Sequence, residues 1–291
     1  MIFEKFEENS GFLLTFPLVE GVRWTHQGPP AGRKEGNPMI STGAAALMIL
    51  MAVLTVVGPM AGMLFLRRRG GRWRDFWVGG AAFFLFAMVL EQILHTLVLR
   101  SPLGQILQGN IWLYGLYGGL AAGIFEEVGR FLAFKLALRN RRERITALSY
   151  GLGHGGMEAF LVLGVTYLNN LYLSSLLAKG EALAPELTAA LENLAALPAV
   201  MYLWAGLERV IAITIHMTLS VLVFTAVTRP GKRWLFPAAI GLHAAADFST
   251  LVSAAYLPVA AVELLAAAWA LALVWLAVGL YKKLPQTPES P

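Results

Sequence analysis

Phe125-Glu126-Glu127-Val128-Gly129-Arg130 is the most charged run inside any long apolar segment of the chain. It sets two adjacent carboxylates and an arginine near the middle of an apolar segment running from Ile111 to Leu138. Charge is costly at the centre of a bilayer, so ionisable groups placed there require partners and usually serve a task. The surrounding sequence is apolar enough to make that setting a bilayer. Of 291 residues, 57% are hydrophobic and 14% charged, and the mean hydropathy is +0.62. This composition excludes an ordinary soluble domain and predicts an all-α, polytopic transmembrane bundle.

Seven apolar segments are each long enough for a hydrocarbon core that about 20 helical residues cross. They are placed at 43–66, 76–99, 112–138, 146–168, 200–228, 234–255 and 258–281. Asn169 and Asn170 are expected to end the fourth span. After Pro185, the spacing of Leu187, Leu191 and Leu194 predicts a short amphipathic helix on the membrane surface, with a re-entrant eighth element as the alternative. Residues 1–42 read as an interfacial segment and linker rather than a cleaved leader, because Glu4, Glu7 and Glu8 crowd the start. Residues 43–284 form one helical membrane domain, and 285–291 a tail.

Lys and Arg set the expected orientation. They cluster at Arg67 to Arg74, Arg139 to Arg144, Arg229 to Arg233 and Lys282 to Lys283, on alternate connections and at the C-terminus. The opposite loops carry little beyond Arg100 and Lys179. The positive-inside rule then puts the N-terminus outside and the C-terminus in the cytoplasm of a multi-pass cell-membrane protein, bacterial or archaeal. The net charge of +5 is accounted for by these topological clusters and implies no nucleic-acid partner. The chain has no cysteine, so any metal must be held by His, Asp, Glu or water.

Counting from the basic clusters gives depth. Glu127 and Glu126 lie 12 and 13 residues before Arg139, and His154 and Glu158 lie 10 and 14 after Arg144. His216 lies 13 before Arg229, while His243 and Asp247 lie 10 and 14 after Arg233. At the helical rise all seven fall in one layer, roughly 15 to 21 Å from the cytoplasmic edge. His154 with Glu158, His243 with Asp247, and Glu126 with Arg130 are i, i+4 pairs that share a helix face. Such pairs can bind a cation or set a general base beside a polarising group. Neither HExxH nor HxxEH is present. Gly151, Gly153, Gly155 and Gly156 surround His154 and are expected to bring its helix close to the Glu126–Glu127 helix. A second set, Glu91 with His95 and Glu208 with Arg209, lies nearer the outside and reads as a structural ion-pair cluster; Arg209 also shares a face with His216.

The four motifs, Phe125 to Arg130, Gly151 to Ala159, Glu208-Arg209 with His216, and His243 to Asp247, resemble in order the YhfC family of intramembrane metalloproteases. That family is similar to the larger group holding the type II CAAX prenyl endopeptidases, the bacteriocin-processing and self-immunity proteins, and PrsW. The resemblance implies an intramembrane endopeptidase acting on a membrane-associated peptide or protein. It implies Glu126 as the water-activating residue, with Glu127 beside it and Arg130 as charge partner. It places His154, Glu158, His243 and Asp247 in the catalytic site, and those four with His216 either hold a divalent metal, zinc foremost, or donate hydrogen bonds to the tetrahedral oxyanion beside a glutamate-activated water. Arg130 comes one residue earlier than in the usual Glu-Glu-x-x-x-Arg pattern, and Glu158 stands where the second motif usually has His. A non-catalytic scaffold, receptor or immunity protein, or a cation or proton transporter, would also gather such residues.

Overall fold

The computed structural model describes residues 40–286, and every element among them is helical. The interfacial segment expected before residue 40 and most of the tail after residue 285 lie outside the described residues. Helix α1 spans Thr42–Arg67, its first turn capped by the Ser41 hydroxyl on the Ala44 amide at 3.2 Å. Helix α2 runs Trp73–Leu99 with a π-helical stretch at Phe84–Glu91. A short α3, Pro102–Gln108, starts with Ser101 as N-cap and Pro102 in its first turn, a pair that starts helices well.

Helix α4 is Ile111–Leu132, capped by the Asn110 side chain and closed by a π turn at Ala133–Ala137. Helix α5 is Ile145–Ala178, with a π-helical stretch at Phe160–Val165. Helices α6, Pro185–Ala196, α7, Val200–Thr228, α8, Leu235–Ala254, and α9, Val259–Tyr281, complete the described chain.

Six of these helices, α1, α2, α5, α7, α8 and α9, are long and apolar enough to cross a membrane. The seventh expected span, α4, is a helix of 22 residues that carries Glu126, Glu127, Arg130 and glycines in place of aliphatic side chains. Its polarity is directed inward, since Glu127 and Arg130 are fully buried and Glu126 nearly so. The outer surfaces of the bundle expose Leu, Ile, Val and Trp, as lipid-facing helices do.

Two expectations are corrected. Asn169 and Asn170 do not end the fourth span; Asn170 is buried and the helix continues to Ala178, stopping before Gly180, whose positive φ of 83° turns the chain out. The glycines around His154 do not face α4. Gly153 abuts the Phe76 backbone of α2, Gly151 and Gly155 abut Met217 and Ile213 of α7, and Gly156 meets Pro59 of α1. Helical steps of 100° distribute the four around α5, so each serves a different neighbour. The expected 187–194 helix is present as α6. Leu191 and Leu194 are buried, the latter against Met48, Tyr167 and Tyr202, so its apolar face packs on the bundle.

Packing follows from these approaches. Helix α5 is central, against α1, α2 and α7, while α4 packs chiefly on α8 and α7 also on α9. The α4–α8 contact depends on Gly119 and Gly123, which lie against the Ala244 and Ile240 carbonyls. The polar faces of α4, α5, α7 and α8 thereby meet in one interior volume.

Candidate active site

Glu126 is the meeting point. The Nε2–H of His154 donates to Glu126 Oε2 at 2.8 Å, and His216 Nδ1 stands 3.7 Å from the same oxygen. Ligand atoms of Glu126, His216 and His243 lie within 4.8 Å of one another, and all three residues are buried. The three imidazoles form a row, with ring centroids 4.7 Å apart from His154 to His216 and 5.4 Å from His216 to His243.

Glu127, the next residue of α4, organises the supports. Its Oε1 accepts from His243 Nδ1 at 2.9 Å, and its Oε2 is 3.1 Å from Arg130 Nε, an ion pair without hydrogen-bond alignment. Arg130 also donates through Nη1 to the His216 carbonyl at 2.6 Å and to Ser220 Oγ at 2.7 Å. Its Nη2 contacts His216 Nδ1 at 3.1 Å. Arginine only donates, so His216 Nδ1 is the accepting nitrogen and Nε2 carries the proton, aimed at Glu158 Oε2 at 2.5 Å. His243 has the reverse arrangement in its neutral form: Nδ1–H donates to Glu127, and Nε2 offers a lone pair 3.5 Å from Asp247 Oδ2.

Glu158 is held from outside by Arg209, whose Nη1 donates to Oε1 at 2.7 Å, while Nη2 reaches Glu208 at 2.5 Å. The outer polar set therefore divides. Glu208–Arg209 joins the central layer through Glu158, and Glu91–His95 forms its own network with Tyr117 on α4, at 3.1 and 2.8 Å. Asp247 and Glu208 have the most exposed side chains of the group, at 42% and 49%, against 9% or less for Glu126, Glu127, His154, His216 and His243. The site is open along the Asp247 and Glu208 side and closed around Glu126.

All of the sequence-derived site residues, Glu126, Glu127, Arg130, His154, Glu158, His216, His243 and Asp247, thus belong to one connected network. Within it they divide by contact. His154 is turned onto Glu126, Glu158 is engaged by Arg209 and His216, and His243 presents a free nitrogen. Ser220 was not singled out from the sequence, although it sits one turn after His216, shares its face, and bonds back to its carbonyl at 2.7 Å.

The donor chemistry suits a divalent ion. Imidazole with carboxylate is a zinc donor set, and a histidine fixed at Nδ1 by a buried carboxylate is the usual way a ligating imidazole is oriented.

A family model described as "YhfC intramembrane metalloprotease" matches residues 48–268, most of the chain and every residue of this network. The chain belongs to the YhfC family. It is also 31% identical over 201 residues to the "Uncharacterized membrane protein YhfC" of Bacillus subtilis (strain 168), an alignment covering 65% of this chain and 77% of the relative. No solved structure matches the chain. The YhfC match agrees with the fold, a multi-pass helical membrane protein.

Proposed function

We propose that the chain is an intramembrane endopeptidase that hydrolyses a peptide bond of a membrane-associated peptide or protein, with its arginine-rich end in the cytoplasm of a cell membrane. One observation carries the reading: Glu126, buried at mid-span, has one oxygen fixed by His154 and lies within 4.8 Å of donor atoms of His216 and His243. A carboxylate so placed can take a proton from a water lying between it and the imidazoles.

His243, through Nε2, and Asp247 would hold a divalent ion, zinc by donor type, with Glu126 at the same centre; His216, whose Nδ1 lone pair accepts from Arg130, would join them on release of that contact. Such an ion, when bound, lowers the pKa of a coordinated water and polarises a carbonyl. The chain's own residues do the rest. Glu126 accepts the proton of the attacking water. His154 fixes the carboxylate and keeps one oxygen directed inward. Arg130 and Glu127 neutralise each other and lock the rings of His216 and His243. Arg209 holds Glu158 against His216 at the open side, where the substrate backbone would arrive.

The test is metal content and peptide cleavage of detergent-purified protein beside Glu126→Gln and His243→Ala. Near-stoichiometric zinc in the parent, kept by Glu126→Gln and lost by His243→Ala, with cleavage abolished in both, is the expected result. Folded parent protein that neither holds metal nor cleaves any membrane-anchored peptide overturns the proposal.

A further inference from the structure

A buried polar stripe on α5 leads to His154, and its other members are not used by the site as described. Thr146, Ser149, Tyr150 and His154 are spaced i, i+3, i+4 and i+8, so they share a face that runs from the arginine-rich end of the bundle to the catalytic carboxylate. All four are fully buried. Each has a side-chain polar atom with no hydrogen-bond partner among the described residues: Thr146 Oγ1, Ser149 Oγ, Tyr150 OH and His154 Nδ1. At the arginine-rich end the stripe begins at a buried ion pair, Asp75 with Arg141 at 3.0 Å, where Asp75 Oδ1 and Arg141 Nε are likewise unpartnered. Thr146 stands beside Asp75 without an aligned hydrogen bond.

Buried polar atoms are nearly always satisfied, by protein or by ordered water, because an orphan loses its hydration without replacement. One unsatisfied hydroxyl is an irregularity; four in register on one helix face need a common partner. The spacing fits water. One helical turn rises about 5.4 Å, close to two hydrogen bonds of about 2.8 Å end to end. That is a spacing a single bridging water can span between groups one turn apart. At its inner end the stripe meets the ion pair of Glu127 and Arg130, which lies within electrostatic reach of Tyr150.

We propose that Asp75, Thr146, Ser149, Tyr150 and His154 hold a file of ordered waters that joins the arginine-rich end of the bundle to the back of the Glu126 site. Its use as the supply of the water consumed at each peptide hydrolysis rests on the function proposed above; the existence of the file does not.

The test is X-ray radiolytic hydroxyl-radical labelling of the purified full chain, read by mass spectrometry, because radicals form on bound waters and mark the side chains beside them. Tyr202 is the internal standard: it is equally buried, but its hydroxyl is satisfied by the Leu194 carbonyl at 2.9 Å. Tyr150 is expected to label several-fold faster than Tyr202, and the combined substitution Thr146→Val with Ser149→Ala is expected to bring it down to the Tyr202 rate. Equal rates in the parent overturn the file. So does a Tyr150 rate unchanged by the double substitution in folded protein, and if that variant fails to fold the parent ratio decides alone. Labelling needs no turnover. A labelled Tyr150 in a protein without peptidase activity would leave the file and remove the hydrolase reading, and the opposite pair of results would do the reverse.

Discussion

Arg130 of α4 donates to the backbone carbonyl of His216 on α7 at 2.6 Å, and the same guanidinium engages the His216 ring, Ser220 and Glu127. One side chain thus fixes the relative position of two helices and the tautomer of an imidazole between them. Lysine has neither the planar fork nor enough donors in the right directions to replace it.

Removing Arg130 leaves Glu127 buried without its charge partner, a change that costs about 3–5 kcal/mol in buried ion pairs. Arg130→Met is expected to lower thermal stability in detergent by that order, and Glu127→Gln combined with Arg130→Met is expected to recover part of it. Thermal unfolding of the two variants beside the parent checks this. Equal stability of parent and single variant would contradict the ion-pair account.

Glu126→Gln keeps shape and hydrogen-bonding capacity but removes the base. A fall in cleavage of about 10²- to 10⁴-fold is expected, the range typical for loss of general base catalysis. Single-turnover assays with a membrane-anchored peptide read it directly, and unaltered thermal stability would separate it from misfolding.

Gly153 lies against the Phe76 backbone, where an added Cβ has no room and no flexible side chain can yield. Gly153→Ala is expected to cost about 1–3 kcal/mol or more through separation of α2 and α5. Gly58→Ala, where an added Cβ meets nothing within 4 Å, is the control and is expected to be neutral or mildly stabilising, since alanine favours helix over glycine by about 1 kcal/mol.

The absence of cysteine makes topology directly testable. A single cysteine replacing exposed Asn140 is expected to react with an impermeant thiol reagent only from the cytoplasmic side, and one replacing exposed Lys179 only from the outside. The opposite pattern would invert the proposed orientation.

Much of the site was legible because its residues obey helical arithmetic. His154 with Glu158 and His243 with Asp247 share faces by spacing, and depth could be counted from Arg139, Arg144, Arg229 and Arg233. What spacing does not carry is the rotation of each helix about its axis. The contacts of Gly151, Gly153, Gly155 and Gly156 with three different helices, and the link from Arg209 to Glu158, depend on that rotation. Asn169 and Asn170 misled for a related reason: a polar residue ends a span only if it must meet water, and Asn170 faces the interior of the bundle. Ser220 carried a usable signal, one turn beyond His216, but a serine on an apolar helix is too common to stand out without its partner.

Helix α5 has 34 residues, which makes a rod of about 50 Å, whereas the hydrocarbon of a bilayer is about 30 Å thick. The rod must lean or stand proud of the lipid, and its lean adjusts as the bilayer thins or thickens. His154 and Glu158 both ride on this rod, while Glu126 rides on the shorter α4. Bilayer thickness therefore bears mechanically on the register between the imidazole and the carboxylate it orients, and reconstitution in lipids of graded chain length gives control over that register without changing a residue.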